Sequence, residues 1–429
     1  MSRDKVLWLS NKIQTDQDRG NTGTWLDAMA RRLTQTSEID LANIAQGAVA
    51  EPVRQDCGSI RQWIIPAGVQ LDTHTGLPPA SITAAIIRAV DEFSPDVVQV
   101  WGAEKFWGLL TARGLVAQPA LLEMQGLKSA IARVYAGSLS VREQLACIGP
   151  KELLRGSTIF QNRRRFERWV EFERAMLAGH RFMTAQSAWL AAQIRAVNQT
   201  ARIFHNDFLL REPFYAAAPW HPPSAPIIFC SASYPSPFKG LHLAIRALAL
   251  LKRRFPDVQL RVAGAWQRPG LRQEGYVAWI NRLARQLGVA EQIKWLGAVN
   301  ATELVSELQQ CALVLVPTFV EGYCLALAEA MQLGVPAVVA FVGGAAGLTV
   351  HGESALFFPP GDVAMSAYQM EQLLTDRTLA ERLGRQARAV ALTRNEPATV
   401  IQRQIEIYRQ IQTSRDGVQS GTVETGDYA

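Results

Sequence analysis

Glu321 and Glu329 are the two side chains whose type and spacing first suggest chemistry. They stand eight residues apart in the stretch Pro317-Thr318-Phe319-Val320-Glu321-Gly322-Tyr323-Cys324-Leu325-Ala326-Leu327-Ala328-Glu329. The apolar run Ala312 to Val316 reads as a buried strand, Pro317 ends it and Gly322 opens a turn. Helical periodicity then begins near Tyr323 and stops at Gly334-Val335-Pro336. Glu321 is therefore expected on a loop just ahead of a helix N-terminus, with Glu329 about two turns into that helix. The first N–H groups of a helix lack internal partners and carry the positive end of its dipole, so they can hold a diphosphate. A carboxylate on each side can accept hydrogen bonds from hydroxyls, those of a sugar on the loop side and those of a ribose on the helix side. The competing reading is an acidic first turn followed by a surface glutamate, since acids favour helix starts.

The elements that follow decide between the two. Ala337 to Phe341 is a second apolar run, and Gly343-Gly344 punctuates it. His351-Gly352-Glu353-Ser354-Ala355-Leu356-Phe357-Phe358-Pro359-Pro360-Gly361-Asp362 adds a turn, a short strand and a Pro-Gly-Asp stop. In this order the segment resembles the nucleotide-binding half of the group 1, or family 4, retaining glycosyltransferases, whose signature is a Glu, seven residues, then a Glu. The resemblance implies an α/β GT-B fold, two doubly wound Rossmann-like domains facing across a cleft. It also implies a nucleotide-diphosphate sugar as donor, bound mainly by the C-terminal domain, and an acceptor bound by the N-terminal one.

Carried onto this sequence, the resemblance gives Glu321 the donor-sugar hydroxyls and Glu329 the ribose. The diphosphate falls to Lys239 and the backbone of Gly322, Tyr323, Cys324 and Leu325, with Gly264 at the end of the strand Leu260 to Gly264 completing the donor side. Lys239-Gly240 follows a Ser/Pro loop, and relatives usually carry an Arg about five residues earlier, where this chain has Tyr234. Gln125 stands where many relatives place a sugar-contacting histidine, Ala185-Gln186-Ser187 where they carry Gly-Arg-Thr, and Gly347 where they often have a glutamate. Gly20-Asn21-Thr22-Gly23 lies between the first strand and first helix, where the family's loop faces the cleft. The nearby Asp16-Gln17-Asp18 is read as a solvated turn, and no metal site is assigned. His205 reads as a packed structural histidine.

Short apolar runs alternate with amphipathic ones almost end to end, the pattern of parallel strands with crossover helices. Lys5 to Leu9, Asp96 to Trp101 and Ala120 to Met124 read as strands of a first unit, and Ile227 to Cys230 opens a second. Pro219, Pro222, Pro223 and Pro226 crowd the linker between them. The expected division is an acceptor-side domain at 1–218, a nucleotide-sugar domain at 219–395, a helix at 396–413 crossing back to the first domain, and a disordered tail at 414–429.

Bulk properties narrow the partners. No apolar run approaches a membrane span, and Met1 to Lys5 leads straight into a strand rather than a signal peptide, so a cytoplasmic protein is expected. The five cysteines, Cys57, Cys147, Cys230, Cys311 and Cys324, form no C-x-x-C pair, which argues against a disulfide scaffold and a zinc site. A net charge of +6 suits anionic partners, and the absence of a nucleic-acid motif leaves nucleotide sugars and phospholipid headgroups. Lys151 to Arg174 holds seven basic and four acidic residues interleaved with Phe160, Phe166, Trp169 and Phe172, which could touch the inner face of an anionic membrane. The function expected is metal-independent, retaining transfer of a hexose from a UDP-, GDP- or ADP-sugar to a glycan or lipid-linked acceptor in cell-envelope or exopolysaccharide synthesis, with no cofactor. The alternative is a nucleotide-sugar-binding protein of the same fold whose lost cations have impaired turnover.

Overall fold

Strands that are apolar along their whole length can be buried only if both sheet faces are covered, which requires parallel strands and crossover helices. The structure, a computed structural model, describes residues 3–15, 24–230, 235–264, 266–267 and 273–416. Strands β1 (Asp4–Ser10), β2 (Ile39–Gly47), β3 (Val53–Arg54), β4 (Arg61–Pro66), β5 (Val97–Trp101), β6 (Ala120–Glu123), β7 (Phe182–Thr184) and β8 (Arg202–Phe204) form one sheet in the order β3-β4-β2-β1-β5-β6-β7-β8. Strands β9 (Ile227–Cys230), β10 (Gln259–Ala263), β11 (Ile293–Gly297), β12 (Leu313–Val316), β13 (Ala337–Ala340) and β14 (Leu356–Phe358) form another in the order β11-β10-β9-β12-β13-β14. Every pairing is parallel except that of β3 with β4. The continuous apolar runs in β9, β12 and β13 are buried at every position.

The strand order reverses between β1 and β5 in the first sheet and between β9 and β12 in the second. Loops leaving the carboxyl ends of such neighbouring strands run to opposite sides, and the crevice left between them is where ligands bind in open parallel sheets. In the second unit, the two loops flanking that crevice carry Lys239 and Glu321.

The helix Pro397–Asp416 packs back on the first sheet. Its Tyr408 hydroxyl bonds Trp8 Nε1 at 3.2 Å and the Gln99 side chain, and Gln404 accepts from Asn206 at 2.9 Å. This helix runs past residue 413, where a disordered tail was expected to begin; the tail from 417 onward lies outside the described residues.

Beneath that helix, Glu123 is buried and accepts hydrogen bonds from Gln186 and Gln99. Burial nonetheless pushes its carboxyl up to about 8. A carboxyl whose pKa is higher in the folded state favours folding most below its unfolded pKa, and that advantage is lost as pH rises through the folded value. Stability is therefore expected to fall between about pH 5 and pH 8, by on the order of a few kcal/mol from this group. Replacing Glu123 by Gln should flatten Tm against pH across that window, and an unchanged slope would refute the assignment.

Between β6 and β7 the chain reaches across to the second unit. The short helices Val141–Ala146 and Pro150–Arg155 lie against the helix Gly275–Gln286. Buried Glu152 accepts the Gly149 and Gly275 N–H groups, both at 3.0 Å, and Lys151 pairs with Glu274 at 3.1 Å. Arg282 donates to the Ala146 carbonyl at 2.6 Å, and Arg246 pairs with Glu143.

Candidate active site

The loops after β9 and β12 are tied together before either presents a side chain. The Phe319 N–H donates to the Phe238 carbonyl at 2.8 Å, and the Thr318 hydroxyl bonds the carbonyls of Val320 and Phe238 at 3.0 and 3.3 Å. Gly240 has φ +76°, and a Cβ there would collide with the Pro317 carbonyl oxygen, so only glycine permits this approach. The result is an ion pair of 2.6 Å between Lys239 Nζ and Glu321 Oε1, with both side chains largely shielded from water. Burial by itself would lower the Lys239 pKa, but the adjacent Glu321 carboxylate outweighs it and holds the ammonium above its ordinary value. Lys239 is thus a fixed positive charge at neutral pH.

Glu321 leads into the helix Leu325–Leu333, which begins two residues later than the periodicity suggests. The cause is Cys324, held in the left-handed region at φ +76°. A non-glycine residue in that conformation costs about 1–2 kcal/mol and recurs where a site must be preorganised. Cys324 makes no side-chain cap, so its side chain satisfies none of the first-turn amides. Gly344 donates its N–H to the Glu321 carbonyl at 2.9 Å, and Gly322 lies so close to the Gln125 carbonyl oxygen that a side chain there would clash with it. The Gln125 loop of the first unit therefore rests on the loop of the second, bringing both sides of the cleft together at Gly322.

Glu329 lies on the next turns of the helix and is 6% exposed. Both of its oxygens are held by Arg211, with Nε to Oε1 at 2.7 Å and a second guanidinium nitrogen to Oε2 at 2.8 Å. Burial raises the Glu329 pKa, and Arg211 opposes that rise without overcoming it. Sequence reasoning missed Arg211. It sits in the crossing segment ahead of Glu212-Pro213, far from Glu329 along the chain, and its only signal was the shortage of other cations around the signature.

The remaining expected residues divide. Tyr323 is a core side chain, packed on Phe208 with its hydroxyl bonded to Asn395 Nδ2 at 2.9 Å, so only its backbone is available to a ligand. The Cys324 side chain is buried too, and burial pushes its thiol up. Leu325 opens the helix, and Gly264 directly follows β10, its N–H bonded to the Gly297 carbonyl at 2.6 Å. Gly23, Tyr234 and Asp16-Gln17-Asp18 lie outside the described residues. His205 bonds the Ala185 carbonyl and Asp207, both at 3.1 Å, which is a structural role. Gln186 is committed to Glu123. On the first unit's side of the cleft, Glu104 accepts the Gly126 N–H at 2.8 Å, and burial pushes its carboxyl up to about 7. No group of three or more metal-ligating side chains occurs among the described residues, and no helix there is long and apolar enough to cross a membrane.

Residues 217–390 match the family described as glycosyl transferases group 1. The C-terminal unit is a group 1 glycosyltransferase domain. Sequence similarity to curated relatives extends over part of the chain. A D-inositol 3-phosphate glycosyltransferase of Corynebacterium diphtheriae is 34% identical over 149 residues, covering 34% of each chain. A glycogen synthase of Mycobacterium tuberculosis is 30% identical over 178 residues, covering 42% of this chain and 40% of its own. The chain thus spans roughly a third to two fifths of the length of these relatives. The likeness of fold extends further than that of sequence. Sucrose-phosphate synthase from Thermosynechococcus elongatus superimposes with a TM-score of 0.73 at 16% identity, over 96% of this chain and all of that one. Anabaena HepE, solved with UDP and glucose, does so with a TM-score of 0.62 at 17% identity, over 95% of this chain and all of that one. The group 1 unit and the domain that precedes it together form the GT-B fold.

Proposed function

We propose that the protein is a retaining glycosyltransferase that moves a hexose from a UDP-, GDP- or ADP-sugar to a glycan or lipid-linked acceptor of the cell envelope or an exopolysaccharide. The observation that carries this reading is the Lys239–Glu321 pair, set at the crevice between β9 and β12 and beside an uncapped helix start. Lys239 and the amides of Tyr323, Cys324 and Leu325 would neutralise the charge growing on the departing diphosphate, and no metal ion is assigned that task. Glu321 would hold the donor-sugar hydroxyls, and Glu329, oriented by Arg211, would receive the ribose. Gln125, whose backbone touches Gly322 from the other unit, would meet the sugar from the acceptor side.

Front-face attack suits this arrangement. The bond from the anomeric carbon to the phosphate oxygen breaks, the acceptor oxygen bonds the same face, and the acceptor proton passes to the departing phosphate. The chain supplies position and charge stabilisation. A cytoplasmic enzyme meeting its acceptor at the inner membrane face fits the net charge of +6. The test is release of nucleoside diphosphate from a panel of UDP-, GDP- and ADP-sugars with envelope-lipid and oligosaccharide acceptors, in the presence of chelator, with the anomeric configuration of the product read by NMR. Turnover with retention supports the proposal. Binding of a nucleotide sugar without turnover on any acceptor supports the impaired binding protein instead, and an inverted product contradicts the mechanism.

A further inference from the structure

Five of the fourteen exposed large apolar side chains among the described residues fall within residues 141–160: Val141, Leu145, Leu153, Leu154 and Phe160. They belong to the two short helices that reach across to the group 1 unit and to the start of the helix Ile159–Gly179. Leu153 is 68% exposed and Leu154 88% exposed, adjacent on a six-residue helix whose opposite side is fastened by Glu152 and Lys151. Folding has every opportunity to turn such leucines inward. Here the inward positions are taken by the anchoring polar groups.

Exposed cations lie next to these apolar side chains along the chain. Arg142, Arg155, Arg164, Arg165 and Arg168 are exposed, and no carboxylate pairs with them among the described residues. Phe160, Arg164 and Arg168 follow at helical spacing and so share one face. The local acids are mostly engaged: Glu143 with Arg246, Glu167 with Arg163, Glu152 with two amides, and Glu173 with the Lys128 N–H, leaving Glu171 exposed. Protruding apolar tips with unpaired exposed cations next to them in the chain match the interface of an anionic bilayer, where leucines enter the acyl boundary and arginines meet the headgroups.

We infer that the segment 141–168 is a docking surface for an anionic phospholipid bilayer, inserting Leu153 and Leu154 with the arginines next to them in the chain. Because the same segment bridges the two units, docking would set the cleft at the membrane. This deepens the proposed function by naming where the acceptor is met, and it rests on that reading only for its purpose.

The test is co-sedimentation of the full chain with vesicles of phosphatidylglycerol in phosphatidylcholine, against phosphatidylcholine alone. Binding to the anionic vesicles is expected, weakening with salt and at least about tenfold weaker in a Leu153→Ser/Leu154→Ser variant. An Arg164→Gln/Arg165→Gln/Arg168→Gln variant should lose about as much. No binding to anionic vesicles, or equal binding by the serine variant, would overturn the inference. Concentration-dependent self-association abolished by the serine substitutions would overturn it in favour of a contact between copies. Nucleotide affinity measured on the same variants should be unchanged, so a failed docking surface and a failed transferase reading give different results.

Discussion

Replacing Lys239 by Ala is expected to lower kcat by about 10²- to 10³-fold, the usual loss when one preorganised group facing the developing negative charge is removed. The variant should also bind nucleoside diphosphate about tenfold more weakly, because the remaining amides hold the phosphates without a full positive charge. Lys239 is suited to this role by its surroundings. The 2.6 Å pair with Glu321 fixes the ammonium in the crevice, and that carboxylate keeps it charged against burial. A pKa raised by pairing means the charge is retained through neutral pH and lost only as pH rises beyond the ordinary lysine range, so activity should show no alkaline limb near neutrality. Lys239→Arg should restore only part of the rate, since a planar fork cannot replace a compact point charge in so confined a place. Steady-state kinetics with tight-binding controls separate the two effects. A kcat within about twofold of wild type for Lys239→Ala would remove this residue from the mechanism.

The second large effect is expected at Arg211. Deleting its guanidinium in Arg211→Met strands the Glu329 carboxylate in a buried site, which costs about 3–5 kcal/mol when one partner of a buried pair is lost. The folded state can relieve part of that cost by protonating Glu329, whose pKa burial already raises, so the variant should be least destabilised at acid pH. The double variant Arg211→Met/Glu329→Gln removes the stranded charge and should recover most of the lost Tm. It should not recover nucleotide affinity, because the group proposed to receive the ribose is gone with Glu329. Recovery of both would make the pair purely structural. Loss of affinity with recovered stability would place Glu329 at the ligand and Arg211 as the group that orients it. Thermal unfolding and nucleotide titration on the three variants decide the matter.

The group 1 unit was the more legible half. Its strands β12, β13 and β14 are unbroken apolar runs closed by Pro317, Gly343 and Pro359, and the helix from Leu325 ends at Gly334 with a proline two residues on. The first unit hid more. β1, β5 and β6 read as strands, but β2 contains Asn43 and β4 contains Gln62, buried polar residues that bond each other at 2.9 Å and interrupt the apolar pattern. β7 and β8 have three residues each and offer too little periodicity to detect. In the site, Glu321, Lys239 and Glu329 were visible because their loops and helix are local. The Arg211 contact was not, because it is made by a segment 118 positions away. The late start of the signature helix depends on one residue, Cys324, adopting a conformation that its type disfavours.

Isothermal titration of the intact protein with UDP-, GDP- and ADP-sugars, chelator present, tests most directly whether the crevice between β9 and β12 is a donor site. One nucleotide is expected to bind, with affinity reduced about tenfold or more in both Lys239→Ala and Glu329→Gln. No binding by any of the three, or binding that neither substitution alters, would contradict the assignment.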